Sequence, residues 1–423
     1  MMESEQKYQA IALCIIGLEK ILQDELRCLK LPTVQKQAGI LSFSGSLSDI
    51  FCANFSLRSA ERVLLEVLNC EVTGFDDLFE ALQNVAWEQF FSREDSLVVE
   101  RVRIRSHRPD QRAGHSKQSQ EKQGAIHSQV ACQSVVHKAI YGRLSQHYGL
   151  ERLPESGVRR SLRVYIENRQ LGNRQPVAIC RITLDCSGDA LHRRSYRKFT
   201  GPAPLKESIA AGLLLFSGWH RRIPLLDPFC GSGTLAIEAA LFGLGIAPGL
   251  HRRFAMESFP LLHGPNQDRK QNERIADLRS GKQEEAKKNL ALSRNPESDM
   301  SLRVFASDCD ARTLEGAKAN TERAGLAGCI QFCRAEARQL QPPAENGLLL
   351  SNPPYGQRLG DRQSIRRLYA ELGDLGRDRF SQWALGFISG SPDFEYDFAG
   401  TADRQYHLVN GQEDQFFYYY AAP

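Results

Sequence analysis

Two short stretches in this 423-residue chain carry residue types whose spacing suits chemistry at a nitrogen atom. Ser351-Asn-Pro-Pro-Tyr-Gly356 follows the apolar run Leu348–Leu350. Adjacent prolines forbid helix and ladder pairing, so Pro353 and Pro354 fix an extended, rigid corner whose carbonyls cannot relax. A preorganised site requires such rigidity. An exocyclic base amine is a poor nucleophile because its lone pair is delocalised into the ring. The Asn352 side-chain oxygen and the Pro353 carbonyl can each accept one amine N–H bond, which would turn the lone pair outward and stabilise positive charge developing at nitrogen. Tyr355 supplies a ring on which a target base could stack. A proline-rich surface turn is the plainer alternative, and the strand before the motif counts against it.

The second stretch, Asp227-Pro-Phe-Cys-Gly-Ser-Gly-Thr234, lies between a short buried strand, Ile223–Asp227, and an apolar helix, Thr234–Gly243. Gly231 and Gly233 permit a tight turn and close approach of backbone to a ligand. The following helix points free N–H groups and its positive end at the loop, which suits a methionine carboxylate as well as a phosphate. Phe229 and Thr234 flank the turn. A nicotinamide site is disfavoured, because Pro228-Phe-Cys separates strand from glycines and no strand-end acid follows at about 20 residues. The next such acid, Asp308, ends Val304-Phe-Ala-Ser307 and can accept both ribose hydroxyls of an adenosyl group; Asp310 reads as the cap of the next helix. Glu336 occupies the matching place after Ile330–Cys333 and could accept an adenine amine, or could simply be solvated. The cofactor these features suit is S-adenosylmethionine, with methyl transfer to a planar amine as the reaction.

The elements that must position these residues alternate strand and helix from about residue 200 onward, implying a mostly parallel sheet covered on both faces. Strands are expected at 302–308, 329–333, 348–350 and 384–388, with a helix at 311–324 and a helical insertion over 251–300. Residues 8–60 read as strand, helix, strand, helix. A second α+β block over 61–185 holds a helix near 125–148 and a hairpin of strands 161–168 and 176–185. Leu97–Arg105 alternates, sending Arg101, Arg103 and Arg105 to one face.

Net charge is only +4, too weak to argue for nucleic acid by itself. The basic residues are nevertheless clustered on that strand and in Arg193, Arg194, Arg197 and Lys198. Both clusters are candidate phosphate contacts, with a solvated charged face as the alternative. The eleven cysteines show no zinc-type pairing, so no metal is expected. No signal or membrane-length apolar segment is visible, so a cytoplasmic location is the default.

Together these motifs resemble the amino-methyltransferases of the class I fold. The wider match, in chain order, includes Gly17-Leu-Glu-Lys, Arg58–Arg62, Leu191–Arg197, Ala203-Pro-Leu-Lys-Glu207, Asp227–Glu238, Ile246–Gly249, Ser307-Asp308 and Asn352–Leu359. It resembles the THUMP-domain RNA methyltransferases of the ribosomal RNA large-subunit methyltransferase L group, which act on guanine N2. The resemblance implies a class I (Rossmann-like) α/β methyltransferase domain at 186–423. Before it would stand an α+β region, a ferredoxin-like segment at 1–60 and a THUMP RNA-binding domain at 61–185. By the same match Asp227, Gly231, Gly233 and Asp308 bind the cofactor, Asn352 to Tyr355 the target amine, and Pro204, Lys206 and Glu207 lie near the methionine end. RNA, 23S ribosomal RNA above all, is the partner implied. Two departures stand out: Glu336 replaces the usual third-strand aspartate, and the chain stops at Pro423, so one methyltransferase activity is expected where some relatives carry two. The tetrapeptide alone leaves tRNA guanine, DNA adenine-N6 and a protein glutamine amide open as targets. A non-catalytic RNA-binding assembly factor is the reading outside enzymology.

Overall fold

The structure is a computed structural model that describes residues 6–107, 125–169, 176–200, 204–263, 269–295, 297–354 and 362–423. Its first half is built on strands β1 (Tyr8–Cys14), β2 (Thr33–Gln37), β3 (Ile40–Gly45), β4 (Ala60–Val72), β5 (Ser96–His107), β6 (Arg159–Arg169) and β7 (Val177–Asp185). These form one sheet in the order β2-β3-β1-β4-β7-β6-β5. Helices α1 (Glu19–Cys28), α2 (Leu47–Ser56), α3 (Phe75–Gln83) and α4 (Gln129–Tyr148) connect them. The helix starts follow capping chemistry: Ser46 and Asp49 form a reciprocal capping box on α2, and the Ser128 side chain caps α4.

The 8–60 segment contains one strand more than its sequence pattern suggests, because Thr33–Gln37 pairs with β3 as a hairpin. Four of its five residues are exposed, so no alternation marks it as a strand. The expected boundary at 60/61 falls at the start of β4. That strand pairs with β1 through its first half and with β7 through the remainder, so one sheet crosses the boundary. The hairpin of β6 and β7 forms as expected; its turn lies outside the described residues.

The second half holds β8 (Leu225–Asp227), β9 (Val304–Asp308), β10 (Gln331–Arg334), β11 (Gly347–Ser351), β12 (Trp383–Ser389), β13 (Arg404–Asn410) and β14 (Glu413–Tyr420). Helices α5 (Glu207–Phe216), α6 (Thr234–Gly243), α7 (Arg269–Ser293), α8 (Ala311–Arg323), α9 (Arg362–Asp378) and α10 (Phe394–Phe398) accompany them. The order is β10-β9-β8-β11-β12-β14-β13, parallel except for β14, which runs antiparallel to both neighbours. This is the α/β sheet expected, and α7 accounts for about half of the helical insertion expected over 251–300. The order reverses at β8, so the carboxyl ends of β8 and β11 diverge into a crevice of the kind where such sheets bind ligands.

A single buried apolar cluster extends from Ala10 on β1 to Tyr419 on β14, joining the two sheets. Polar contacts reinforce the joint. The Arg58 Nη2 donates to the Ile246 carbonyl at 2.6 Å, and the Gly249 N–H donates to the Phe55 carbonyl at 2.9 Å. A Cβ on Gly249 would stand 2.7 Å from that carbonyl oxygen, which is why glycine is needed there.

Candidate active site

The crevice is assembled from four loops. After β8, the chain turns through Gly231 (φ 52°) and Gly233 (φ 82°), both in the left-handed region that L side chains avoid. A Cβ on Gly233 would crowd the Ala317 side chain of α8 at 3.2 Å, so this glycine also permits close helix packing. A Cβ on Gly231 would meet nothing nearer than 4.0 Å, which leaves open space above the loop. The Cys230 N–H donates to the Ser307 carbonyl of β9 at 2.9 Å, and the Gly231 N–H donates to Asp308 Oδ2 at 3.1 Å. The loop is thus stitched to the acid that sequence spacing singled out.

Asp308 is half-buried at the end of β9, and its Oδ1 accepts from the Asp310 N–H at 2.9 Å. Each carboxylate oxygen keeps acceptor capacity for a second donor. Asp310 caps α8, accepting from the Arg312 N–H at 3.0 Å and the Thr313 hydroxyl at 2.8 Å. Glu336 follows β10, whose end is tied to Asp308 by a 3.2 Å bond from the Ala335 N–H. Its side chain is exposed and lies 3.6 Å from Arg338.

Asp227 is 1% exposed. Burial raises its carboxyl to about 7, against the lowering effect of bonds from the Ser351 hydroxyl and the Phe229 N–H, while Asp308 raises it further. The Ser351 Oγ donates to Asp227 Oδ1 at 2.6 Å. This bond joins the glycine loop to the residue immediately before Asn352. It was not singled out from sequence, although a serine between an apolar strand and Asn-Pro-Pro is a visible signal.

Asn352 Oδ1 is buried and has no hydrogen-bond partner among the described residues. A buried amide oxygen left unpaired costs free energy, about 1–3 kcal/mol in general. Such a cost is tolerated where a ligand donor completes the site. Pro353 is buried and Pro354 half-buried. The Pro354 carbonyl accepts from the Tyr369 hydroxyl at 3.2 Å, and that hydroxyl also lies 3.1 Å from Ser389 Oγ. Tyr369 on α9 is fully buried, so it braces the corner from below. Tyr355, the proposed stacking ring, lies outside the described residues.

The fourth loop leads into α5. Pro204 is exposed, and the Leu205 carbonyl accepts from Arg197 Nη2 at 2.6 Å. The same nitrogen donates to the Thr234 hydroxyl at 3.0 Å and lies 3.2 Å from Glu207. Arg194 donates to the Leu191 carbonyl at 2.6 Å and the Arg58 carbonyl at 2.5 Å, beside the fully buried Glu238. Two members of the second basic cluster are therefore corrected. Arg194 and Arg197 are structural guanidiniums turned inward by buried acids and carbonyls, and do not offer a phosphate-binding surface. Arg193 and Lys198 remain exposed. Thr234 is likewise 4% exposed with its hydroxyl engaged by Arg197 and Ser232, so it shapes the loop from behind. Asn320, not anticipated, fixes the loop through a 3.0 Å bond from its Nδ2 to the Ser232 carbonyl.

The residues fit an S-adenosylmethionine. Gly231 leaves room, Asp308 offers acceptors for a ribose, and Asn352, directly after β11, carries a buried oxygen with no partner among the described residues. Among the described residues no group of three or more His, Cys, Asp or Glu is placed to hold a metal ion. No helix is long and apolar enough to cross a membrane.

Comparison with known proteins agrees with this geometry. Residues 9–64 match the RlmL ferredoxin-like domain. Along nearly its whole length the chain is 31% identical to "Putative RNA methyltransferase YpsC" of Bacillus subtilis, covering 98% of this chain and 96% of that protein. It is 32% identical to the ribosomal RNA large subunit methyltransferase K/L of Cellvibrio japonicus, over 96% of this chain but only 50% of the relative, so it spans about half that protein's length. Among solved structures, "SMU.472, a putative methyltransferase complexed with SAH" superposes with a TM-score of 0.79 at 27% identity, covering 99% of both chains. The crevice itself falls inside residues 194–417, which match the RMKL-like methyltransferase domain, and on that match together with the full-length relative the chain belongs to the RMKL-like methyltransferase family.

Proposed function

We propose that this chain is an S-adenosylmethionine-dependent RNA methyltransferase whose target is the exocyclic N2 amine of a guanine in large-subunit ribosomal RNA. The observation that carries the reading is the buried Asn352 oxygen, without a partner among the described residues and one residue from the Ser351–Asp227 bond that ties it to the cofactor loop. When bound, S-adenosylmethionine supplies an electrophilic methyl on a sulfonium. Asp227, Gly231, Gly233 and Asp308 would hold that group, and Phe229 and Pro204 are assigned to it as well. Asn352 Oδ1 and the Pro353 carbonyl would each accept a hydrogen bond from one N–H of the target amine, which would leave the nitrogen lone pair free for methylation. The Tyr369 hydroxyl keeps the Pro354 peptide, and with it the corner, from rotating. No strong base is needed, since the methylated nitrogen loses its proton readily to water.

The family membership and the names of its relatives support RNA as the substrate. Arg101, Arg103 and Arg105 on β5, in the 61–185 segment read as a THUMP domain, are the phosphate contacts we assign. The test is to incubate the protein with methyl-labelled S-adenosylmethionine and ribosomal RNA, digest, and identify the labelled nucleoside. N2-methylguanosine from 23S RNA is expected. Label in tRNA alone, in adenine of DNA, or in no nucleic acid would replace the substrate named here.

A further inference from the structure

Helix α8 carries two interior residues that work against helix formation. Gly316 and Asn320 are both buried within Ala311–Arg323, where each costs helix stability relative to alanine. They stand four apart and so share a face, with Ala317 beside them. Two segments meet that face: the glycine loop after β8, and residues 196–200 on the way to α5.

The glycine loop is held from the α8 side at three successive residues. The Gly231 N–H donates to Asp308, just before the helix, at 3.1 Å. The Ser232 carbonyl accepts from Asn320 Nδ2 at 3.0 Å. Gly233 packs on Ala317 closely enough that a Cβ would stand 3.2 Å from the alanine side chain.

Asn320 grips the second segment with its remaining capacity. Its Oδ1 accepts from the Lys198 N–H at 3.1 Å and the Phe199 N–H at 3.2 Å, and its Nδ2 also donates to the Phe199 carbonyl at 3.1 Å. Two N–H groups at one end and two carbonyls at the other fill every position an asparagine amide offers. Aspartate would set an acceptor against the two carbonyls, and leucine would satisfy none of the four groups. Asn320 is 0% exposed, so it acts on the backbone of its neighbours and not on a ligand. Gly316 provides a seat for the same segment: the Phe199 ring lies over it, and a Cβ there would overlap the ring. The preceding residues fasten to α6. The Tyr196 hydroxyl donates to Glu238 at 3.0 Å, and Arg197 joins the Thr234 hydroxyl to the Leu205 carbonyl.

We infer that Asn320, with the seat at Gly316, is a positioning residue for S-adenosylmethionine. It holds the glycine loop in its left-handed turn and keeps that loop at a fixed spacing from the segment leading to Pro204. Two helix-weakening residues on one face are explained by that role, since local rules are broken where a site requires it. The inference rests on the cofactor binding at this loop and is independent of which nucleotide is methylated.

Calorimetric titration of the full chain with S-adenosylhomocysteine tests it. Asn320→Asp should bind at least tenfold more weakly than the parent, and in methyl transfer KM for S-adenosylmethionine should carry most of the change, with kcat carrying little. A second pair of variants decides the matter if Asn320→Asp does not fold. Gly316→Ala pushes the Phe199 ring off its seat and should weaken binding about tenfold, whereas in a Phe199→Ala background the same substitution should cost less than twofold. Parent-like affinity in Gly316→Ala, an equal loss in both backgrounds, or a folded Asn320→Asp that binds as the parent does would overturn the proposal. The outcome also separates this role from the choice of substrate. Weakened cofactor binding in the variants of a parent that labels no RNA would keep the positioning role and remove the RNA reading; labelled RNA with parent-like affinity in every variant would do the reverse.

Discussion

At the scale of single residues, the site trades stability for chemistry at Asn352. Its Oδ1 is buried without a partner among the described residues, so Asn352→Ala removes an unsatisfied group and should leave the melting temperature unchanged or slightly higher. Turnover should fall on the order of 100-fold, the scale seen when one preorganised hydrogen-bonding group is removed from a reaction centre. Cofactor affinity should stay within twofold by calorimetry; loss of cofactor binding would reassign the residue. Asp227 makes a prediction of a different kind. Burial raises its carboxyl from 3.8 to about 7, so the folded state holds the proton more tightly than the unfolded chain. The stability this gives is fully present below about pH 4 and is lost as pH rises through about 7, up to about 4 kcal/mol by linkage. Thermal melts of the free protein should therefore fall over that window, and Asp227→Asn, which keeps an acceptor for Ser351, should flatten the fall. A variant with the same slope as the parent would show that the proton sits elsewhere.

At the scale of elements, the motifs that looked unrelated along the chain turn out to be partners across one joint. Glu61 on β4 accepts from Ser208 on α5, lies 2.9 Å from His192 Nδ1 and 3.5 Å from Lys206 Nζ. Burial opposes its charge, but His192, Ser208 and Lys206 outweigh it and hold the carboxyl down to about 2. The cluster therefore fixes the start of α5, beside the loop carrying Pro204. Glu61→Gln should weaken binding of S-adenosylhomocysteine several-fold while the circular-dichroism spectrum is unchanged; unaltered affinity would make the cluster purely structural. Its stability contribution is lost as pH falls from about 4.5 through 2, a window separate from that of Asp227. The sequence made the α/β half legible because strand–loop–helix boundaries there coincide with chemistry: helix α6 runs over the residues its apolar pattern marks, Asp227 and Asp308 end strands, and Asn352 directly follows one. It concealed β2, whose polar residues form an exposed edge, and the inward turning of Arg194 and Arg197. A run of arginines reads the same whether its partners are phosphates or buried glutamates such as Glu207 and Glu238, and only tertiary contacts distinguish them.

At the scale of the molecule, the two sheets are fastened by buried polar contacts as well as by apolar area. Arg160 on β6 is 2% exposed; its Nε donates to Asp95 at 2.9 Å, and its two Nη atoms donate to the Ala255 and Ser258 carbonyls at 2.8 Å each. The guanidinium also lies over the Phe259 ring, 5.1 Å from its centroid. One side chain thus clamps the first-half sheet to the segment leading into α7. Because its partners have no water to turn to, Arg160→Leu should cost about 3–5 kcal/mol, most of it from leaving Asp95 charged and unpaired. The double variant Arg160→Leu/Asp95→Leu should recover part of that loss. The parent should unfold in one calorimetric transition, with both sheets melting together, whereas Arg160→Leu should separate two transitions if the clamp is what couples them.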